Sequence, residues 1–222
     1  MLDTLQSGHT NPKMKKYRRI YFGGGSDVNG AELGTEWEDR LPLRFSRLVS
    51  DHFNVMDYNV SHGGSSNHRI VRELLMSDLH ISKFDAAVIQ MTPKWRTEYH
   101  NGKDWERVWV PSNGKTGDCK APSKWWLENK LTTQKVEGDF WRNYFRIHSE
   151  EFFNTNEKMY HTTIKSHCKA HGVQLILLGR RLSSDLEFDF CFDEPWISKA
   201  PKGHPDEEGH RQIADKIISM LS

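Results

Sequence analysis

The chain has 222 residues, 36% of them apolar, and 31 basic against 30 acidic side chains leave a net charge of +1. That length suits one α/β domain with a substantial core, and the charge balance excludes an overall field that recruits nucleic acid. No stretch approaches the roughly twenty apolar residues that span a bilayer, and the widely spaced Cys119, Cys168 and Cys191 exclude a disulfide framework or thiolate zinc site. The polar opening does not resemble a signal peptide, so a soluble protein of a reducing cytoplasm is expected, with no cofactor, metal or membrane partner.

Residues 1–17 read as a polar arm whose basic run, Lys13 to Arg19, leads into the first strand at 18–23. Trp37 to Phe53 has apolar residues near helical spacing, and Pro42 inside it starts or kinks that helix. A strand is expected at 54–60, a helix from Asn67 to Leu79 and a third strand at 84–91. Residues 93–138 interrupt this pattern, carrying Trp95, Trp105, Trp109, Trp125 and Trp126 among lysines, glycines and prolines. Phe140 to Ala170 forms a long periodic run closed by Gly172, with His161, His167 and His171 expected at its surface. A strand at 173–179 follows, and apolar residues at 213, 214, 217, 218 and 221 define a last helix. Strands alternating with helices predict a mainly parallel sheet covered on both faces, a three-layer α/β/α domain over 18–222.

Two segments carry chemistry. The first strand ends in Gly23-Gly24-Gly25-Ser26, at the carboxyl end of a strand where open α/β sheets place their ligand crevices. Glycine permits the tight turn, but the order of a phosphate-binding loop is missing. Far along the chain, Gly203-His204-Pro205-Asp206-Glu207-Glu208-Gly209-His210 runs into the last helix, and Pro205 holds His204 on a loop at its entrance. A serine hydroxyl becomes a nucleophile when a base takes its proton, and His204 is suited to be that base.

Gly24-Gly25-Ser26-Asp27-Val28-Asn29-Gly30, together with His204, Pro205, Gly209 and His210, resembles the first and last blocks of the SGNH or GDSL hydrolases. Asn59 to Asn67 is similar to the second block, which implies an oxyanion-hole N–H from Gly63 or Gly64. The resemblance implies a flavodoxin-like sheet order and ester hydrolysis with Ser26 as nucleophile and His204 as base. It also accounts for His204 and His210 without a metal. Three positions depart from the family. Gly25 replaces the aspartate before the nucleophile, Ile89 to Arg96 lacks the oxyanion asparagine, and Pro201 stands where the triad aspartate belongs. These departures, with the stretches around Asn67 and Lys94, resemble a branch found in tailed phages, implying work in the host cytoplasm or virion.

Asn67 or Lys94 is then the expected replacement donor, and Asp193, ahead of Glu194 or a backbone carbonyl, the expected partner of His204. The tryptophan-rich 93–138 segment follows the third strand and should rise over the crevice, with Trp95 beside the substrate or else in a small satellite core. Phe188 to Trp196 would form the opposite wall. The expected substrate is a small-molecule or carbohydrate ester; the competing reading is an SGNH fold kept for binding or as a phage structural protein without its chemistry.

Overall fold

The computed structural model describes residues 16–34, 36–77, 79–100, 103, 105–108, 144, 147–179 and 186–222. The strands are β1 (Arg19–Gly23), β2 (Met56–Asn59), β3 (Ala86–Gln90), β4 (Thr97–His100), β5 (Trp105–Val108), β6 (Gln174–Gly179) and β7 (Phe190–Cys191). The α-helices are α1 (Ser26–Asn29), α2 (Trp37–Arg40), α3 (Phe45–Phe53), α4 (Asn67–Met76), α5 (Glu150–Ala170) and α6 (Glu207–Leu221). Five strands form one sheet in the order β2-β1-β3-β6-β7, and every neighbouring pair in it is parallel. Numbered within the sheet this is the 2-1-3-4-5 order of flavodoxin-like folds, the order that the resemblance implied.

Alternation along each strand divides the core between two faces. Ile20, Phe22, Ala86, Val88, Ile176 and Leu178 pack with residues of α3 and α6. Tyr21, Ala87, Ile89 and Leu177, one residue out of step, pack with Ile70 and Leu74 of α4 and Ile164 and Cys168 of α5. The central strand β3 is buried along its whole length, which is why Ala86-Ala87-Val88-Ile89 reads as a continuous apolar run. Among the described residues, no helix is long and apolar enough to cross a membrane.

Away from the serine turn, the structure departs from the sequence expectations in the following ways. The expected helix over Trp37 to Phe53 is two helices, α2 and α3, on either side of Pro42, which lacks the N–H a continuous helix needs. Tyr17 belongs to the core rather than to an N-terminal arm; it is 4% exposed and its hydroxyl donates to the Leu221 carbonyl at 2.7 Å. Residues 1–15 of that arm lie outside the described residues. His161 is buried, not superficial, and bonds the Glu187 carbonyl through Nε2 at 3.0 Å. The segment after β3 holds an antiparallel hairpin, β4–β5; residues 109–138, with Trp109, Trp125 and Trp126, lie outside the described residues.

Candidate active site

Ser26 opens α1 immediately after β1, which has β2 on one side and β3 on the other. This is the point where strand order reverses, and its carboxyl end is the ligand crevice of a doubly wound sheet. The turn before Ser26 needs its glycines because the chain passes tightly over β3. A Cβ on Gly24, whose φ is 153°, would stand 2.6 Å from Val28 Cγ2 and 2.8 Å from Gln90 Cβ. One on Gly25 would stand 2.8 Å from Thr92 Cγ2 and 3.6 Å from Arg96 Nη1. A side chain at position 25 would force Thr92 to shift. The turn is instead tied by the Gly25 N–H, which donates to Gln90 Oε1 at 3.0 Å, while Gln90 Nε2 donates to the buried Asp27 carboxylate.

His204 reaches this turn from the loop before α6. Its Nε2 lies 2.9 Å from Ser26 Oγ, and its Nδ1 lies 2.7 Å from Glu32 Oε2. With Nδ1–H donating to the carboxylate, Nε2 presents a lone pair to the serine hydroxyl, the tautomer a general base requires. Glu32 also accepts from the backbone N–H of His204 at 3.2 Å and of Lys202 at 3.3 Å, so one side chain orients the ring and anchors its loop. Burial pushes the Glu32 carboxyl upward, but the hydrogen bonds from the His204 ring and the two backbone N–H groups outweigh it and hold the group below its ordinary value. The histidine loop is folded on itself, with Ala200 N–H bonded to the His204 carbonyl at 2.8 Å and Gly203 in the left-handed region at φ 90°.

The partner of His204 is therefore Glu32, not Asp193. Chain order concealed this: the SGNH hydrolases that the sequence resembles supply the acid three residues before the histidine, whereas here it lies six residues after the serine, in the turn that ends α1. The available signal was an acidic residue in a short stretch bounded by Gly30 and Gly34.

The loop after β2 forms the neighbouring wall. His62 N–H donates to the Gly24 carbonyl at 3.2 Å and Asn29 Nδ2 to the Ser61 carbonyl at 3.1 Å, which seats the 61–64 segment beside the serine turn. Gly64 adopts φ 75°, and the Cβ position of Gly63 faces open space with nothing within 4 Å. Three other expected residues serve elsewhere. Asn67 is committed to the backbone of Thr92, donating to its carbonyl at 2.8 Å and accepting from its N–H at 2.7 Å. Lys94 turns toward α5, bonding Glu150 at 2.9 Å and the Asn154 side chain. Trp95 is 6% exposed and packs on Phe153 with ring centroids 4.5 Å apart, the satellite-core arrangement rather than a substrate platform.

His210 is likewise structural. It is fully buried, accepts the Phe45 N–H through Nδ1 at 3.1 Å and stacks on the Phe45 ring; burial lowers its pKa to about 4, so it stays neutral. Asp206 caps α6 by accepting the Gly209 N–H at 2.8 Å. Gly209 itself is required there, since a Cβ would stand 2.1 Å from the Ser198 carbonyl oxygen.

Fold and site thus define a doubly wound α/β protein with a carboxylate–imidazole–hydroxyl chain at its switch point. No family model and no curated protein matches the chain. Among solved structures it is similar to a family two carbohydrate esterase from Clostridium thermocellum in complex with cellohexaose, at 12% identity and a TM-score of 0.48, covering 92% of this chain and 63% of that one. It is also similar to a carbohydrate esterase whose active site displays divergent catalytic and non-catalytic binding functions, at 14% identity and a TM-score of 0.48, covering 93% of this chain and 65% of that one. The chain spans less than two thirds of the length of either.

Proposed function

We propose that this protein is a serine hydrolase of carboxylic esters, of the SGNH kind that its first and last blocks resemble, acting through Ser26, His204 and Glu32. The observation that carries this reading is the unbroken chain from Glu32 through His204 to Ser26 Oγ. In the first step Ser26 Oγ attacks the ester carbonyl carbon while His204 Nε2 takes its proton. Glu32 stabilises the imidazolium that forms. The oxyanion is received by the N–H groups of Ser26 and of Gly63 or Gly64, donors aimed where charge develops. Collapse passes the proton from His204 to the leaving alcohol, and water, activated by the same imidazole, releases the acid from the acyl-enzyme.

Arg96 adds positive charge beside the serine turn, its Nη1 lying 3.6 Å from the Cβ position of Gly25. It is suited to the developing oxyanion or to an acidic group on the substrate. Hydrogen bonds to charged groups are worth about 1.5–3 kcal/mol, so Arg96→Ala should lower kcat/KM by roughly 10–100-fold. The intact Glu32–His204–Ser26 chain favours an enzyme over a fold retained for binding, because a pure binding site has no need of an oriented base on a serine.

The test is labelling with a fluorophosphonate probe and mapping of the modified peptide, beside turnover of aryl acetates and acetylated sugars. Modification at Ser26, lost in Ser26→Ala and in His204→Ala, is expected. A folded protein that neither takes the probe at Ser26 nor hydrolyses any ester in the panel would overturn the reading. Preference for the sugar esters over the aryl acetates would extend it to carbohydrate substrates.

A further inference from the structure

Away from Ser26, three histidines converge. His167 lies in the last turn of α5, His171 caps that helix, and His80 lies in the loop between α4 and β3. Both segments run directly into the amino ends of strands, β6 and β3, whereas Ser26 follows the carboxyl end of β1. The cluster therefore sits at the opposite edge of the parallel sheet from the serine.

Each histidine offers one ring nitrogen, and these three atoms all lie within 4.8 Å of one another. The rings meet edge to face, at interplanar angles of 68°, 88° and 72°, with centroids 5.9, 4.7 and 4.8 Å apart. An i, i+4 pair places two imidazoles on one helix face, the spacing by which a helix supplies two ligands to zinc. His80 completes the set from another element. Its Nδ1 accepts the Ser82 N–H at 3.3 Å and lies 3.0 Å from Ser82 Oγ; binding an ion through Nε2 moves the ring proton to Nδ1, which then donates to Ser82 Oγ as the outer hydrogen bond of a metal-binding imidazole.

Two further observations point to a cation. His167 Nε2 is buried and has no hydrogen-bond partner among the described residues, an unsatisfied atom that a metal would satisfy. The cluster also stands at the carboxyl end of a 21-residue helix, the end whose dipole favours positive charge. Among the described residues no carboxylate is hydrogen-bonded to any of the three rings, so ion pairing does not account for their convergence. Nitrogens around a tetrahedral zinc, bonded at about 2.0–2.1 Å, stand roughly 3.4 Å apart, so the exposed His80 and His171 need only a small rotation to close on an ion.

We propose that His80, His167 and His171 form a binding site for a divalent transition metal of the zinc class, with a fourth position left to water. Imidazole ligands suit Zn²⁺, Cu²⁺ and Ni²⁺, and among the described residues the ligand group holds no carboxylate to favour Mg²⁺ or Ca²⁺. Its role is a clip: it ties the loop leading into the central strand to the end of the long helix, two segments distant in the chain. Stability, not turnover, is what it changes.

The experiment titrates Zn²⁺ into the chelator-treated full chain by calorimetry, and follows thermal unfolding with and without one equivalent. Single His80→Gln, His167→Gln and His171→Gln variants and the triple variant are measured beside it, because the chain has 12 histidines in all. One ion per chain is expected, bound at least tenfold more weakly by each single variant, with a rise in Tm that the triple variant loses. Cobalt(II) as a spectroscopic probe should give visible bands typical of a four-coordinate site in the natural protein and not in the triple variant. Binding of equal strength by the triple variant, or no one-to-one binding by the natural chain, would overturn the proposal.

Discussion

Glu32 holds a φ of 71°, left-handed backbone that a non-glycine residue occupies at a cost of about 1–3 kcal/mol. That strain lets a residue close behind Ser26 turn back and face His204 Nδ1. If Glu32 orients the base, Glu32→Gln should lower kcat by roughly 10²–10⁴-fold, the range set by loss of the orienting aspartate in a protease triad. Asp193→Asn should leave kcat unchanged, and steady-state kinetics of the two variants compares them directly. The carboxyl of Glu32 is held below its ordinary value, so its contribution to stability is complete above the unfolded carboxyl range, near pH 4.3, and is lost as pH falls through the lowered value. Thermal unfolding of the natural protein and Glu32→Gln should accordingly differ near neutrality and converge in acid. Introducing by Gly25→Asp the aspartate that SGNH hydrolases carry there should damage the site, since its Cβ meets Thr92 Cγ2 at 2.8 Å. A loss of about 1–3 kcal/mol in denaturant unfolding is expected, as for other overpacked positions.

Helix α5 carries the clearest electrostatic conflict among the elements. Glu157 is 1% exposed, neither of its oxygens has a hydrogen-bond partner among the described residues, and burial raises its pKa to about 7 despite the opposing charge of Lys94. A carboxyl raised in the folded state favours folding in full below its unfolded pKa, near 4.3, and loses that advantage as pH rises through 7. Glu157→Gln should therefore gain stability over the natural protein across that window. The gain should reach on the order of 1–3 kcal/mol above pH 7, read from unfolding curves at several pH values; a constant difference from pH 4 to 8 would contradict it. The β4–β5 hairpin is fastened to α4 through buried Glu98, which accepts from Arg72 Nε at 3.1 Å, while the Arg72 guanidinium lies 4.5 Å from the Trp105 ring centroid. Trp105 is thus stacked on the protein's own cation, and Trp105→Ala should cost thermal stability while treating aryl and sugar esters alike.

Across the whole molecule the parallel sheet separates two kinds of site. Its carboxyl edge gathers Ser26, Glu32 and the 61–64 wall around His204, and its amino edge gathers His80, His167 and His171. Sites that share no partners combine additively. The double variant Ser26→Ala with His167→Gln should therefore lose hydrolysis as fully as Ser26→Ala alone and weaken zinc binding as fully as His167→Gln alone. Ester kinetics and calorimetry on all three variants check this. Coupling between the two losses would mean that the clip reaches the serine turn through β3.

The local sequence determined what depends on local periodicity and on residue type. The four main strands, the helices α4 and α6 and the parallel three-layer arrangement were legible from periodicity, and the glycine turn after a strand and the histidine held before a proline singled out Ser26 and His204, which the fold brings within 2.9 Å. Pro42 marked a start or kink of one helix, and the structure places it between two. What the sequence could not yield were relations between distant backbone segments. Glu32 facing His204, Asn67 spent on Thr92, Lys94 drawn to α5 and three histidines meeting at one sheet edge are each fixed by strand order and helix packing. A hydrogen bond depends on direction within a few tenths of an ångström, and only the assembled fold supplies that direction.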